Sequence, residues 1–356
     1  MPAATSIRCN ARWNGNNPRV ALALSDMTFD RINHCLRHGA VPLPESGTIA
    51  VFGGVPDGSL PAIAADRLQI ISPNWMVHRA LGRSHAATKT APDGDIAACI
   101  VQIPRARALA HALIHQAAAL APDGWIIVDG AKTDGVDSIL KAVKSRIEID
   151  GTQSKAHGKV FWFRAAPVFD DWASPGPTAN RDGYMTIEGV FSADGIDPAS
   201  AALVAALPSK LGPHVTDLGG GWGYLTAEVL KRDGVTSVDL VEVDHNALAC
   251  ARLNVADDRV RFHWDDATTW QARQLADTIV MNPPFHVGRS GDPGLGQAFI
   301  THAATCLKPT GQLWMVANRH LPYEATLETL FGVVEDLGGG SKFKILRASK
   351  PKRTRR

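Results

Sequence analysis

Short apolar runs bounded by Gly, Pro, Ser or Asp recur along the whole chain, and between several of them lie longer stretches with apolar residues at helical spacing. The runs at 48–52, 67–71, 95–103, 125–128 and 159–164 predict strands. Run 95–103 is apolar throughout its centre, as a strand covered on both faces should be. Segment 105–120, rich in Ala and Leu and halted by Pro122-Asp123-Gly124, predicts a helix, and so does 138–144. The pattern breaks at 167–183, where Pro167, Pro175 and Pro177 stand among Gly, Ser and Asp as a linker would. Beyond it come a helix over 197–207, with Asp197 as cap and Pro198 in its first turn, then strands at 214–216, 237–243, 260–263, 278–281 and 313–316. Helices are expected over 224–231 and 247–254. Strands alternating with helices predict parallel sheets flanked by helices, an α/β chain divided into 1–166, a linker at 167–184, and 185–356.

A chain of 356 residues that is 45% hydrophobic and 20% charged can bury two cores. The formal net charge of +2 neither demands nor excludes a nucleic-acid partner, since a local patch suffices. Cys9, Cys35, Cys99, Cys250 and Cys306 are far apart and form no CxxC pair, which argues against a zinc site or a disulfide framework and for a reducing compartment. The N-terminus lacks the apolar core of a signal peptide, and no run approaches the ~20 apolar residues of a membrane span. The expectation is a cytoplasmic protein.

Candidate chemistry concentrates in the second half. Strand 214–216 runs into Asp217-Leu218-Gly219-Gly220-Gly221-Trp222-Gly223 and a helix, a turn that lets backbone approach a ligand closely. A dinucleotide fingerprint would need a further glycine where Thr226 stands. Glu242, with Asp244 beside it, ends the next strand, where a carboxylate commonly holds a ribose diol. Asp265 and Asp266 end the following one, where a carboxylate can accept from an adenine amino group. Strand 278–281 then enters Asn282-Pro283-Pro284-Phe285-His286. Proline has no N–H, so the pair ends the ladder and leaves the carbonyls of Asn282 and Pro283 short of partners. An amide oxygen, a bare carbonyl and a flat ring suit a planar base with an exocyclic amino group. Two acceptors on its hydrogens favour a pyramidal, nucleophilic nitrogen, and Phe285 stacks on the base. His286 orders the loop rather than acting as a base. All four elements follow successive strands and would share one sheet edge.

This succession resembles class I methyltransferases that use S-adenosylmethionine. The text around it is similar to the bacterial ribosomal RNA guanine-N2 methyltransferases of the RsmC and RlmG type. The matching pieces are Gly189-Val190-Phe191-Ser192 with Asp197-Pro198, Asn282 to Gly288, Val316 to Glu324, and Phe343 to Ala348. Trp222 departs from the pattern, since a smaller residue is more usual there. The resemblance implies two tandem Rossmann-like class I methyltransferase domains. It further implies methyl transfer from S-adenosylmethionine to N2 of a guanine in ribosomal RNA, 16S above all. Asn282, Pro283 and Phe285 would be catalytic. Asp217, Gly219, Gly221, Gly223, Glu242, Asp265, Asp266 and Asn282 would bind the donor. The partner would be ribosomal RNA or a ribosomal subunit, met by a monomer without metal or membrane, the base being turned out of its stack.

Leu120 to Gly124 before an apolar strand echoes Leu307 to Gly311 before another, which predicts a duplicated architecture. The first copy has no glycine-rich loop of the required form, and Gln102-Ile103-Pro104 stands roughly where Asn-Pro-Pro-Phe would. It is therefore expected to be a degenerate copy that holds RNA or the other domain. The last fifteen residues carry eight Lys or Arg and no acid, a stretch suited to phosphates or simply to solvent. Three other readings fit parts of this pattern: an N-methyltransferase for a large-subunit ribosomal RNA guanine, DNA adenine or protein glutamine, a nicotinamide oxidoreductase, and a non-enzymatic RNA-binding protein.

Overall fold

The computed structural model describes residues 29–53, 60, 62–81, 86–88, 92, 94–284 and 293–352. Its first sheet comprises β1 (Thr48–Phe52), β2 (Leu68–Ile71), β3 (Ala86–Thr88), β4 (Ile96–Gln102), β5 (Trp125–Ala131), β6 (Gly151–Lys155) and β7 (Gly158–Arg164) in the order β3-β2-β1-β4-β5-β7-β6. All neighbours are parallel except those of β7, which pairs antiparallel with β5 and β6. Around it lie α1 (Asp30–Arg37), α2 (Trp75–Leu81), α3 (Arg107–Leu120) and α4 (Val136–Lys144). Phe169 and Trp172, in the segment expected to link the halves, are buried against the core beneath α3 and α4.

A short hairpin of β8 (Thr178–Ala179) and β9 (Met185–Thr186) leads to the second sheet. This sheet contains β10 (His214–Leu218), β11 (Ser237–Glu242), β12 (Val260–Trp264), β13 (Ala276–Met281), β14 (Leu307–Asn318), β15 (Phe331–Asp336) and β16 (Phe343–Pro351). Its order, β12-β11-β10-β13-β14-β16-β15, repeats that of the first sheet strand for strand. The helices are α5 (Pro198–Ala206), α6 (Tyr224–Val229), α7 (His245–Asn254), α8 (Pro293–Cys306) and α9 (Glu324–Leu330). The fold is thus α/β with two Rossmann-like sheets. Apolar clusters cover both faces of the second sheet, one around Ile279, Met281 and Phe299, the other around Val215, Leu240 and Val280. That is why these strands read as continuous apolar runs.

In both sheets the connection reverses direction between the first and fourth strands, and ligands of open α/β sheets bind at such a switch point. In the first sheet polar side chains occupy the same edge at β4 and β5. Gln102 and Asp129 are register partners on β4 and β5, both buried, and Arg31 of α1 reaches over to pair with Asp129. Burial raises the Asp129 carboxyl above the usual range while the Arg31 hydrogen bond opposes the shift.

The halves meet along a polar and aromatic seam. Trp75 N–H donates to Val243 O at 2.9 Å, His245 N–H donates to Pro73 O at 2.8 Å, and the Trp264 indole N–H reaches Pro73 O and Val243 O. Rings of Trp75, His78 and His245 stand edge-on around Trp264.

Candidate active site

The glycine turn and the Asn-Pro-Pro segment leave neighbouring strands at the same edge. β10 and β13 are parallel, with Asp217 opposite Val280, so the loop after Leu218 opens directly beside Asn282. The turn is possible because Gly219, Gly221 and Gly223 adopt φ of +74°, +54° and +93°, a region costly for other residues. A Cβ on Gly220 would meet Leu240 Cγ at 2.6 Å, whereas one on Gly221 would meet nothing within 4 Å. The loop therefore packs down at Gly220 and is open at Gly221.

Two buried carboxyls frame that opening. Asp217 Oδ2 accepts from Thr226 Oγ1 at 2.7 Å, while its Oδ1 is buried without a partner among the described residues. Glu242 Oε2 accepts from Gly221 N–H at 2.8 Å and Oε1 from Asp244 N–H at 2.9 Å. Burial pushes both side chains up to about 7, and for Asp217 the nearby Glu242 adds to the rise. Asp244, the rival for the ribose role, is instead the cap of α7, its Oδ1 accepting from Asn246 and Ala247 N–H. Of the Asp265-Asp266 pair, Asp266 accepts from Thr268 N–H, Thr268 Oγ1 and Thr269 Oγ1. Asp265 accepts from Asp266 N–H, and burial raises its carboxyl. A carboxylate offers about four lone-pair directions, so each acid retains room for a further donor.

Asn282 is held from a distance in sequence. Its Nδ2 donates to Asp197 Oδ2 at 3.0 Å and to Ser200 Oγ at 2.8 Å. Asp197 caps α5 through Ser200 N–H with the same oxygen. A carboxylate only accepts, so this arrangement fixes which end of the amide faces it. The other end, Oδ1, is buried and unpartnered among the described residues. None of the described residues donates a backbone hydrogen bond to the Pro283 carbonyl. Phe285 and His286 lie outside the described residues.

The Methyltransferase small domain family matches residues 183–347. Ribosomal RNA small subunit methyltransferase C of Shewanella pealeana is 33% identical over 258 residues, covering 69% of this chain and 75% of that protein. Its counterpart in Shewanella oneidensis is 30% identical over 258 residues with the same coverage. The chain belongs to the small subunit methyltransferase C family. A solved member, the T. Thermophilus 16S rRNA N2 G1207 methyltransferase (RsmC) in complex with AdoMet and guanosine, superposes with a TM-score of 0.73 at 26% identity, covering 90% of this chain and 92% of that one.

Within this methyltransferase family's frame, Trp222 is buried in a small cluster with Val190, Ala247 and Cys250. Its indole donates to Phe191 O at 2.8 Å, and the ring sits on Val190, Tyr184 and Tyr224. Asn254 fastens the same segment, exchanging hydrogen bonds with Met185 and donating to Trp222 O. Asp197, Ser200 and Thr226 are the partners of the site that sequence reasoning missed. The capping pattern Asp-Pro-x-Ser was visible, but nothing in it points to Asn282. Among the described residues no cluster of His, Cys, Asp or Glu could hold a metal ion, and no helix is long and apolar enough to cross a membrane. Cys35, Cys99, Cys250 and Cys306 are buried thiols, and Cys306 Sγ lies 3.3 Å from His302 Nε2.

Proposed function

We propose that this chain transfers a methyl group from S-adenosylmethionine to the N2 amino group of a guanine in 16S ribosomal RNA. The donor supplies an electrophilic methyl on a sulfonium, which passes to nitrogen in a single displacement. The residues at the opening fit such a donor. Gly221 leaves space where a side chain would intrude, Asp217 Oδ1 is a buried acceptor without a partner among the described residues, and Glu242 keeps lone pairs that a ribose diol could use. Asp265 and Asp266 would accept from the adenine amino group.

The observation that carries the reading is the Asn282 amide. With its nitrogen committed to Asp197 and Ser200, only Oδ1 is left to meet an incoming N–H, and it stands beside the glycine turn. Oδ1 and the Pro283 carbonyl would grip the two hydrogens of the guanine amino group, with Phe285 stacked on the base. Once methylated, the nitrogen carries positive charge and loses its proton to water, so no strong base is required. The first half, whose sheet edge is occupied by Arg31, Asp129 and Gln102, would serve as a non-catalytic, degenerate domain (1–166) joined through 167–184 to a catalytic domain (185–356). The protein would act as a cytoplasmic monomer.

The test is methyl incorporation from labelled S-adenosylmethionine into small-subunit RNA, large-subunit RNA, DNA and protein offered separately, followed by mapping of the modified nucleoside. N2-methylguanine in 16S RNA is the expected product. Label confined to any other acceptor would overturn the assignment.

A further inference from the structure

We propose that a groove beside the Asn282 pocket holds the phosphate and base of a nucleotide flanking the methylated guanine. This rests on the function proposed above and adds a second RNA site to it. The groove has a volume of about 500 Å³ and is lined by Asn318, Arg319, His320, Ser341, Lys342 and Phe343.

Its place in the sheet is the first argument. β14 lies next to β13 on the side away from β10, with Met281 opposite Met315. Asn318 ends β14 and pairs with Phe343, the first residue of β16, so the groove occupies the same edge as Asn282. The glycine turn, the Asn282 amide and the groove thus follow one another along this edge. At about 4.8 Å between strands, the groove falls within reach of the nucleotide next to a base seated at Asn282.

Its construction is the second. Arg319 Nε donates to Gly340 O at 2.7 Å and Nη2 to Phe343 O at 2.8 Å, while Arg319 N–H meets Lys342 O at 3.0 Å. These bonds hold a wall in which Gly338, Gly339 and Gly340 all have positive φ, so the groove is formed before any ligand arrives. Lys344 is withdrawn from it, buried with Nζ on Leu321 O and Glu324.

Its chemistry is the third. The side chains of His320, Ser341 and Lys342 are exposed and make no hydrogen bond among the described residues, and Asp336, 3.5 Å from Arg319, is the acid paired there. Ammonium, imidazole and hydroxyl donors suit a phosphate, and the half-buried Phe343, which lines the groove, is the aromatic residue there for a base to pack on. Single-stranded RNA presents both groups.

The experiment measures binding of a single-stranded RNA oligonucleotide, with a guanine flanked on both sides, to the full chain across a salt series. The double variant His320→Ala/Lys342→Ala should bind several-fold more weakly, and the slope of log Kd against log salt should fall by about 0.7 for each phosphate that is no longer neutralised. KM for the RNA should rise in proportion, while kcat at saturating RNA and the Kd for S-adenosylmethionine stay as they were. Lys342→Glu should weaken RNA binding further. RNA affinity and salt slope unchanged in both variants would overturn the groove, as would a fall in kcat with KM unaltered. Because the deciding readout is RNA binding, methylation of 16S RNA by the unaltered protein tests the enzyme's function independently.

Discussion

Asp197 and Asn282, 85 residues apart, share a hydrogen bond of 3.0 Å that orients the carboxamide at the centre of the site. The same carboxylate oxygen caps α5, so a helix terminus and a candidate catalytic group are set by one side chain.

Asp197→Asn separates those duties. Asn caps helices as well as Asp does, so thermal stability should be nearly unchanged. An amide can present its own N–H₂ to Asn282, and the charge that fixes the orientation is gone. Turnover should fall while binding of S-adenosylmethionine is retained. Asn282→Ala should lose more, about a hundredfold in kcat, the scale seen when one preorganised polar contact to a reacting centre is deleted. Titration calorimetry and single-turnover methylation on the same preparations separate the two effects. Wild-type turnover in Asn282→Ala would remove the amide from the mechanism.

The carboxyls of Asp217 and Glu242, lifted by burial to about 7, predict proton-linked donor binding. Their ordinary values are 3.8 and 4.5, so the folded, donor-free protein holds more protons than the unfolded chain between about pH 4 and 7. Their contribution to stability is therefore fully present below about pH 4 and is lost as pH rises through 7. A cationic donor favours the ionised carboxylates. Protons should be released on binding near pH 6.5, and affinity should tighten from pH 6 to pH 8. Calorimetry in buffers of different ionisation heat measures this directly; a buffer-independent enthalpy at pH 6.5 would contradict it.

Gly221→Ala probes the opening itself. At φ of +54° an alanine costs about 1 to 2 kcal/mol of backbone strain, but its methyl meets no protein atom within 4 Å. The protein should fold with a slightly lower midpoint. Donor affinity should drop about tenfold or more, equivalent to about 1.4 kcal/mol. Undiminished affinity would place the donor elsewhere along the edge.

Much of this arrangement was legible in sequence because the strands of the second sheet are short, apolar and separated by turn residues. Predicted strands at 237–243 and 260–263 match β11 and β12 within a residue. The duplication, inferred from a repeated Pro-x-Gly turn, emerges as two sheets of identical strand order. Elements without a clean apolar run were not visible. β6 is largely solvated, and α1 and α2 are short and rich in charged or aromatic residues. In the site, residue types on strand ends were readable because chemistry and position coincide in one short motif. The roles of Asp197, Ser200 and Trp222 were not, since each depends on a partner brought in across the fold. Trp222 looked like a misfit in the glycine loop, yet its ring is buried beside Val190 and its indole N–H anchors the Phe191 carbonyl.

The seam between the halves predicts that the first domain tunes the donor site without touching the donor. Trp264 immediately precedes Asp265, and its indole N–H is shared by Pro73 O of one half and Val243 O of the other, next to Glu242 and Asp244. A second link runs from Arg79 to Thr269 Oγ1, which in turn donates to Asp266. Trp264→Phe keeps a ring in the cluster but removes the shared N–H; Val243 O keeps Trp75 N–H and Pro73 O keeps His245 N–H, so the cost is that of one net hydrogen bond, about 1 kcal/mol. The strand ends carrying Glu242 and Asp265 should loosen together. Donor affinity should weaken severalfold and the unfolding midpoint fall by a few degrees, with kcat at saturating donor largely preserved because Asn282 is held by α5 and not by the seam. Equilibrium binding of S-adenosylmethionine to Trp264→Phe, with thermal unfolding in parallel, checks this. Unfolding at a lower midpoint with wild-type donor affinity would mean that the seam joins the domains mechanically and carries nothing to the site.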